Sequence, residues 1–435
     1  MNALLTHRPR HLDPGGPTGE AGTELDRFLE ALHPGRMGPR LQHALGAGPA
    51  TCHVLDAKYE PGLRSILLYE HAGRLVRGDL VAGDDGDASS DLVAPGVRLS
   101  RFPHDPEMPT LPQVMDAARF GPALAEALGC AYPSSGARGR LSLLRYRPGK
   151  RVTVLARLPG AAGRYVAKVY HDPAKAAAVA AEAADLAAVI SGDRGNLCIA
   201  PTAAYLPDLS VVVQHEVAGT PLDALLNTPR ATAARDAVAA AGRALAALHD
   251  AEPCSGRERS VEKELRRFVS RAERIASVDP RSGAVLGRVT GLLLTAHHDL
   301  PAARTGPVHG DCKPSQFLCE GERIYVMDHD HAGVSDQAAD VGTFLASLCQ
   351  LRVRRSTGTS ATPRVDGLET LAARFLGAYL AARSDGPHPA RIRWQEAVAL
   401  QRKALRAFAR APRSPLVAAL AGEADRCLDT MWEIS

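Results

Sequence analysis

The segment VHGDCKPSQF, residues 308–317, carries side chains that phosphoryl transfer requires. An apolar lead is followed by Asp311 in a predicted tight turn, and Lys313 and Gln316 lie shortly after it. Phosphoryl transfer needs a carboxylate that orients a hydroxyl nucleophile and oxygen ligands that hold magnesium on the phosphates. We therefore predict that Asp311 orients the hydroxyl and that the side-chain oxygen of Gln316 helps to bind the metal. A polar surface loop is the plainer interpretation of this segment taken alone.

A second acidic segment, VMDHDHAG, occupies residues 326–333 and places Asp328 and Asp330 two residues apart. The intervening stretch, FLCEGERIYVMD, reads as a strand, a glycine-containing turn and a second strand. Such a hairpin brings Asp311 and Asp328 close together at its open end, so we predict that Asp328 is a magnesium ligand. This combined spacing favours a reaction site over two unrelated polar loops.

A lysine in an apolar strand is the next candidate. Lys168 lies in RYVAKVY, and the Ala-rich helix that follows holds Glu182, with Asp185 one turn further. In protein kinases a strand lysine binds the nucleotide phosphates and is held by a helix carboxylate. We predict the pair Lys168–Glu182, with Asp185 as the alternative partner. An ordinary edge-strand lysine is the structural alternative, and the order of lysine, glutamate and the two acidic segments favours the functional one.

Two further stretches are candidate nucleotide contacts. The turn Pro148–Gly149 in RYRPGKR covers a nucleotide or is a plain hairpin turn, and the sequence favours neither. The strand VVVQHEV offers backbone groups of Gln214, His215 and Val217 to a purine ring, or is only a buried strand. A GxGxxG motif is absent from the sequence, which argues against a Rossmann or glycine-rich phosphate loop.

The elements that must position these residues begin with a helix. Thr23 and Asp26 predict a capped start, and Pro34 ends this helix. Strand patterns follow in two regions that both contain Tyr-x-Pro-Gly, which indicates two similar β-meanders or two hairpins with similar turns. The two strand regions span residues 52–80 and 141–170. A proline-rich extended strap is predicted between them, at residues 101–112.

Beyond the Ala-rich helix the chain becomes mostly helical, interrupted by the two acidic segments. This order predicts an α+β protein with a β-rich lobe and a helical lobe that meet at a cleft, where ligands commonly bind. We predict a flexible tail, a cap domain, a β-rich N-lobe and a helical C-lobe that carries the catalytic and metal loops. Their expected limits are residues 1–22, 23–135, 136–214 and 215–435.

Composition excludes several classes. Of the 435 residues 45 % are hydrophobic and 23 % are charged, which is typical of a globular protein of more than one domain. The net charge of +4 gives no case for nucleic acid binding. We expect no membrane span, no secretion signal and no obligate protein partner. The eight cysteines contain no CxxC pair and suit a reducing, cytoplasmic location.

Four segments of the chain follow a shared pattern: ALAALH, VHGDCKPSQF, VMDHDHAGVSDQAAD and LQRKALRAF. On these segments the chain resembles, from about residue 140 to residue 410, the aminoglycoside phosphotransferase family, the small-molecule branch of the protein-kinase-like fold. That resemblance implies a bilobal fold in which Asp311 is the catalytic aspartate and His309 supports its loop. It also implies that Asp328 binds magnesium and that Asp330 lies beside it.

Three positions depart from the family pattern. Gln316 stands where the family has asparagine, so its amide oxygen is displaced by about one bond length. Lys313 follows Asp311 by two residues, as in Ser/Thr protein kinases, and is placed to neutralise the transferred phosphate. His329 replaces a common phenylalanine and is expected to add a pH-sensitive contact. Residues 23–135 resemble only the general layout of the N-terminal cap of some sugar kinases.

These features predict a kinase that uses ATP or GTP with Mg²⁺ and transfers phosphate to a small-molecule hydroxyl on a sugar, an aminoglycoside or an amino alcohol. A nucleotide-binding pseudokinase is the alternative, motivated by the Gln316 departure. A protein acceptor is disfavoured because the DFG and APE signatures are missing. The stretches 255–305 and 350–400 are basic as often as acidic, which favours a neutral or anionic sugar over a cationic aminoglycoside.

Overall fold

The computed structural model describes most of the chain, and the predicted tail at residues 1–22 lies outside the described residues. The described ranges are 23–80, 93–94, 96–133, 139–160, 163–190, 195–228, 231–252, 258, 260–359, 367–383 and 385–433. Within them the protein is α+β, with a cap region, a β-rich lobe and a helical lobe following one another along the chain. The predicted domain limits stay a prediction.

The cap contains two helices, an antiparallel sheet and two further helices. Its elements are α1 (Glu24–Ala31), α2 (Pro34–Leu45), β1 (Cys52–Glu60), β2 (Arg64–His71), β3 (Arg74–Leu80), β4 (Val93–Ala94), β5 (Val97–Arg101), α3 (Leu111–Met115) and α4 (Ala117–Ala127). The sheet order is β1-β2-β3-β5-β4, and every pairing in it is antiparallel.

The start of α1 confirms the predicted cap. The Thr23 hydroxyl accepts a hydrogen bond from the Asp26 amide at 3.1 Å, and the Asp26 carboxylate accepts one from the Thr23 amide at 3.4 Å. Pro34 was expected only to end this helix, but it also opens α2, because proline at the first helical position has a suitable φ and needs no hydrogen-bonded amide. The predicted extended strap is wrong in its conformation, because the segment folds into successive turns in which the amides of His104 and Met108 bond to carbonyls three residues earlier, and α3 begins at Leu111.

The β-rich lobe is a five-stranded sheet with one long helix. Its strand order is β10-β11-β8-β7-β6. Its elements are β6 (Arg140–Arg147), β7 (Arg151–Arg157), β8 (Arg164–Tyr170), α5 (Pro173–Ile190), β9 (Leu197–Ile199), β10 (Thr202–Leu206) and β11 (Val211–His215), of which β9 joins a sheet of the helical lobe.

The repeated Tyr-x-Pro-Gly pattern marks equivalent turns in two antiparallel meanders, one formed by β1, β2 and β3 and the other by β6, β7 and β8. Gly62 and Gly149 occupy the same left-handed region at these turns, with φ of 69° and 61°. A side chain would be strained there, so the glycine is required by the turn. The two strand regions are therefore similar meanders, the first of the two alternatives raised by the sequence.

The helical lobe carries the two acidic segments between its helices. Its elements are β12 (Thr220–Pro221), α6 (Leu222–Leu225), α7 (Ala231–His249), α8 (Val261–Val278), α9 (Pro280–His297), β13 (Thr305–Val308), β14 (Phe317–Glu320), β15 (Arg323–Val326), β16 (Gly333–Asp336), α10 (Ala338–Ser356), α11 (Leu368–Ala381), α12 (Pro389–Arg410) and α13 (Leu416–Asp429). The predicted hairpin is confirmed as β14 and β15, and β9 pairs with β15 in parallel.

The cap packs against both lobes. Its first helices and sheet share one apolar core with α8, α9, α12 and α13 of the helical lobe. In that core the Phe28 ring stacks on Tyr59 at 4.6 Å between centroids, and Tyr59 lies 6.2 Å from Phe408 on α12. A second core joins α3 and α4 to the sheet of the β-rich lobe. Since each buried large apolar side chain contributes about 1.5–3 kcal/mol, the cap holds both lobes in place.

Helices α10 and α12 approach closely where both support the acidic segments. A methyl group added to Gly342 on α10 would lie 2.5 Å from the backbone nitrogen of Glu396 on α12. Only glycine allows this approach without displacing backbone atoms. None of the helices in the described part of the chain is long and apolar enough to cross a membrane.

Candidate active site

The loop after β13 is held by a buried carboxylate. Asp340, in the first turn of α10, accepts hydrogen bonds from the backbone amides of His309 at 2.5 Å and Gly310 at 2.8 Å. The Asp340 carboxylate also lies 3.3 Å from Nε2 of His249. His309 also donates from Nε2 to the Met327 carbonyl at 2.8 Å, which ties the loop to the acidic hairpin. His309 therefore contacts both Asp340 and the acidic hairpin, and its supporting role in the reaction stays a prediction.

This loop presents Asp311 to the cleft. The Asp311 carboxylate pairs with the Lys313 ammonium and lies 3.5 Å from the Gln316 amide nitrogen. Burial alone would raise the pKa of Asp311, but the charges of Lys313 and Arg406 outweigh it and hold that pKa far below its usual range. Asp311 is therefore ionised at neutral pH and accepts a hydrogen bond from any hydroxyl placed beside it.

Gln316 links the two acidic segments. Its amide nitrogen is 3.5 Å from the Asp311 carboxylate and 3.4 Å from that of Asp328. The predicted convergence of Asp311 and Asp328 is thus observed, with the Gln316 side chain between them. A half-turn of the amide would present its oxygen to a cation at the same place.

The second acidic segment lies under a group of cations from the β-rich lobe. Lys168 contacts Asp328 at 3.1 Å and Asp330 at 3.6 Å. Two nitrogens of the Arg151 guanidinium donate hydrogen bonds to the Asp328 carboxylate at 2.8 and 3.1 Å, and Arg151 also forms an ion pair with Asp330. The Tyr170 hydroxyl donates to Asp330 at 2.8 Å. These contacts across the cleft fix the β-rich lobe over the acidic hairpin.

Asp328 has a conformation that is uncommon for a residue with a side chain. Its φ is 66°, and the backbone strain is sustained by the ion pairs on its carboxylate. Burial would raise the pKa of Asp328, but Lys168 and Arg151 hold it well below the usual range. His329, between the acids, was expected to be pH-sensitive. Instead it is buried beside His309, and burial and the neighbouring charges lower its pKa to about 3, so it stays neutral near pH 7.

The donor atoms fit a magnesium ion. Within the described residues no group of three or more His, Cys, Asp or Glu side chains is arranged to hold a metal ion on its own. Mg²⁺ in phosphotransferases takes one or two carboxylates and completes its shell with waters and phosphate oxygens. Asp328, Asp330 and the Gln316 amide supply oxygen ligands of that kind, and Arg151 and Lys168 now occupy the carboxylate oxygens that the ion would share.

The predicted nucleotide contacts are only partly brought together. Lys168 reaches the acidic hairpin, so in this structure its ion pairs go to Asp328 and Asp330, and its pair with Glu182 on α5 stays a prediction. Gln214 and His215 end β11, which pairs with β8, and Val217 follows in the link between the lobes. Their purine contacts also stay predictions.

The Pro148–Gly149 turn is clamped by the cap. The buried Asp105 carboxylate accepts hydrogen bonds from the Gly149 amide at 2.7 Å and the Tyr146 hydroxyl at 2.8 Å. Its other oxygen accepts from Arg77 at 2.6 Å and from the Glu107 amide at 2.9 Å. The turn therefore depends on a residue more than 40 positions earlier in the chain.

Sequence reasoning missed Arg151, Tyr170, Lys175 and Asp105. Lys175 contacts the Asp330 carbonyl from the first turn of α5. Arg151 had a readable signal, because it is a second basic residue between the Pro-Gly turn and the β-branched run that begins at Val152. Asp105 gave none, because its partners are separated from it along the chain and only the folded strap brings them together.

A β-rich lobe and a helical lobe that join around a strand lysine, an HGD loop and an acidic hairpin define the bilobal protein-kinase-like fold. The sequence model of the phosphotransferase enzyme family matches residues 142–394, and the chain belongs to this family. It is thus a small-molecule phosphotransferase, as the sequence predicted. No curated protein matches the chain.

Several solved structures have similar folds. They include a macrolide 2′-phosphotransferase from Brachybacterium faecium, with 19 % identity over 68 % of this chain and 96 % of that chain and a TM-score of 0.46. A choline/ethanolamine kinase family protein from Mesorhizobium loti shows 18 % identity over 64 % and 85 %, with a TM-score of 0.42. The choline kinase of Streptococcus pneumoniae shows 14 % over 64 % and 89 %, with a TM-score of 0.44. Similarity at this level carries no argument about the acceptor.

Proposed function

We propose that the chain transfers the γ-phosphoryl group of ATP to the hydroxyl group of a small molecule, with Mg²⁺ bound at the acidic hairpin. The observation that carries this proposal is the side chain of Gln316, which lies between Asp311 at 3.5 Å and Asp328 at 3.4 Å. One carboxylate for a hydroxyl and one for a metal-bound phosphate are thereby close enough to serve one transfer.

In the proposed reaction the acceptor oxygen forms a bond to the γ-phosphorus of ATP. The bond from that phosphorus to the bridging oxygen breaks, ADP leaves, and the hydroxyl proton passes to the Asp311 carboxylate and then to water. The low pKa of Asp311 makes it a weak base. That is sufficient because transfer proceeds through a loose transition state, in which orienting the hydroxyl matters more than removing its proton early.

The remaining roles follow from charge. Lys313 is placed to neutralise the transferred phosphoryl group, and Lys168 and Arg151 to hold the nucleotide phosphates. Asp328, Asp330 and Gln316 would hold Mg²⁺, which supplies charge neutralisation on the phosphates. ATP is proposed ahead of GTP on general grounds only, so both are included in the test. We place the reaction in the cytoplasm, where ATP is available.

Release of ADP from ATP, or of GDP from GTP, in the presence of a panel of hydroxyl acceptors tests the proposal. Wild type should release ADP with at least one acceptor, and Asp311→Asn should lose at least about a thousandfold in kcat while retaining its affinity for ATP. The asparagine keeps the shape of the side chain but cannot take the proton. Full activity in Asp311→Asn would remove Asp311 from the reaction, and nucleotide binding without turnover by wild type would favour the pseudokinase.

A further inference from the structure

One face of the β-rich sheet directs cations into the cleft. Arg147 on β6 lies directly opposite Arg151 on β7, and Arg145 lies opposite Thr153. Directly opposed residues project to the same face of a sheet. Arg151 contacts Asp328, so this face looks onto the acidic hairpin, and Arg145 and Arg147 share it. Two arginines opposite each other are destabilising, which indicates that the position serves something other than the sheet.

A face of α12 directs further cations towards Asp311. Arg402, Lys403 and Arg406 occupy adjacent positions on the helix surface, since residues three and four apart are neighbours there. The charges of Lys313 and Arg406 offset the effect of burial on the pKa of Asp311, and Arg402 and Lys403 also interact with the Asp311 charge. The C-terminal turn of the same helix reaches the cap, where Arg410 pairs with Asp56 at 3.3 Å. The three α12 cations therefore interact electrostatically with Asp311.

Protein carboxylates neutralise only some of these cations. Arg402 pairs with Glu264 at 2.5 Å, and Lys403 contacts the neutral Ser347 and Gln350 at 3.1 and 3.2 Å. Five of these cations form no ion pair within the described part of the chain: Arg145, Arg147, Lys150, Lys403 and Arg406. The whole chain has a net charge of only +4, so the cleft concentrates positive charge.

This crowding has an electrostatic cost. Desolvation and the charges of Arg147 and Arg151 lower the pKa of Lys150 to about 8. Desolvation and the charge of Arg406 lower the pKa of Lys403 to about 7. Lys150 and Arg406 are exposed residues, so a ligand can reach them. A bound anion would relieve the repulsion that the protein itself leaves in place.

Two plainer explanations account for part of the cluster. A cation at a helix C-terminus offsets the helix dipole, which suits Arg410 but not Arg402 or Arg406, one to two turns earlier. Phosphates of ATP would attract Arg151 and Lys168, which already sit at the metal carboxylates. Neither explanation reaches the α12 cations beside Asp311, where the acceptor must lie.

We propose that the acceptor is an anion: a hydroxyl compound that already carries a phosphate or carboxylate group, bound between Arg147 on the sheet and Lys403 and Arg406 on α12. This inference rests on the proposed function, because it names the substrate class of the same site. The phosphoryl transfer is the one given above, and the anionic group of the acceptor is a handle that takes no part in bond making. Phosphate esters and carboxylic acids share the chemistry that these cations recognise.

Calorimetric titration into protein saturated with Mg²⁺ and AMP-PNP tests the inference without requiring turnover. The probes are matched sets: glycerol, glycerol phosphate and glycerate; glucose, a glucose monophosphate and gluconate; and the cations choline and kanamycin. At least one anionic member should bind at least tenfold more tightly than its neutral counterpart, and its affinity should fall as salt is added. The two kinds of anion in each set separate a phosphate handle from a carboxylate handle.

Variants on α12 connect binding to the cleft. Arg406→Ala should weaken the anionic probe about tenfold or more, and Arg406→Lys should retain most of the affinity. Arg406 is exposed, so its replacement is compatible with folding, and thermal melting checks this. Arg119→Ala is the matched control, because Arg119 is exposed on α4 and its ion pair among the described residues is a local one, with the N-cap residue Asp116 at 3.6 Å. The affinity for AMP-PNP should be unchanged in all three variants.

The outcomes separate the two proposals. Three outcomes would overturn the anionic acceptor while leaving the kinase proposal intact. They are a preference for a neutral or cationic probe, absence of binding by every anion, and an anion affinity that is unchanged in Arg406→Ala. Absence of AMP-PNP binding with Arg406-dependent anion binding would instead support the cationic site and contradict the proposed function.

Discussion

Replacement of Asp105 by asparagine should loosen the Pro148–Gly149 turn that the cap holds. In the folded protein the two carboxylate oxygens of Asp105 accept from Gly149, Tyr146, Arg77 and the Glu107 amide, at 2.6 to 2.9 Å. An asparagine keeps one accepting oxygen and turns an NH₂ group towards the other two donors. The Tyr146 hydroxyl can rotate to accept from that group, but the Gly149 amide cannot.

The magnitude follows from these contacts. A buried amide without a partner costs about 1–3 kcal/mol, and losing a charged partner of Arg77 adds about 1 kcal/mol because Asp79 remains at 2.7 Å. We therefore expect a loss of about 2–4 kcal/mol in the free energy of unfolding. If one or two kcal/mol of this is expressed in the turn when a nucleotide binds, the KM for ATP rises about 5- to 30-fold.

Urea unfolding and the KM for ATP are the two assays. Asp116→Asn is the control, because Asp116 caps α4 by accepting from the Ala118 amide at 2.9 Å and asparagine caps equally well. Wild-type stability and wild-type KM in Asp105→Asn would refute the clamp. Reduced stability with an unchanged KM would show that Asp105 supports the cap alone.

Three further predictions concern stability. Arg151→Gln should destabilise the metal-free protein by about 3 kcal/mol, because it breaks a buried ion pair, and Mg²⁺ should raise the melting temperature more in this variant than in wild type. The pKa of His249 is lowered by burial from 6.5, so this group takes up a proton on unfolding and stability should fall as the pH drops below about 6.5. The pKa of Asp340 is lowered from 3.8 because the contact with His249 outweighs its burial, so stability should fall a second time as the pH drops below about 3.8. Unfolding of wild type and of His249→Gln across this pH range separates the contribution of His249 from that of Asp340. Gly342→Ala should cost about 1–3 kcal/mol in thermal melting, since its methyl group meets the backbone of α12.

Features set by neighbouring residues were predictable from the sequence. The capping box of Thr23 and Asp26 depends on residues three apart, and the β14–β15 hairpin depends on a glycine turn between apolar runs. The convergence of Asp311 and Asp328 followed from that hairpin alone. The kinase-like order of elements was similarly readable, because each element carries its own periodicity.

Features set by distant contacts were not predictable. The ion pair between Arg151 and Asp328 joins residues 177 positions apart and depends on how the two lobes meet. The packing of the cap on α12 depends on Tyr59 lying between Phe28 and Phe408, which no local pattern encodes. The basic stretch of α12 was visible in LQRKALRAF, but only the fold shows that the charge of Arg406 acts on Asp311.

The central claim is that Asp328 binds the magnesium that holds the nucleotide. Calorimetric titration of ATP with and without Mg²⁺, on wild type and Asp328→Asn, tests it most directly. Asparagine tolerates the left-handed backbone of residue 328, so the variant removes the charge without adding strain. We predict that Mg²⁺ tightens ATP binding to wild type by at least about tenfold and that this gain disappears in the variant. An equal gain in both proteins would contradict the claim.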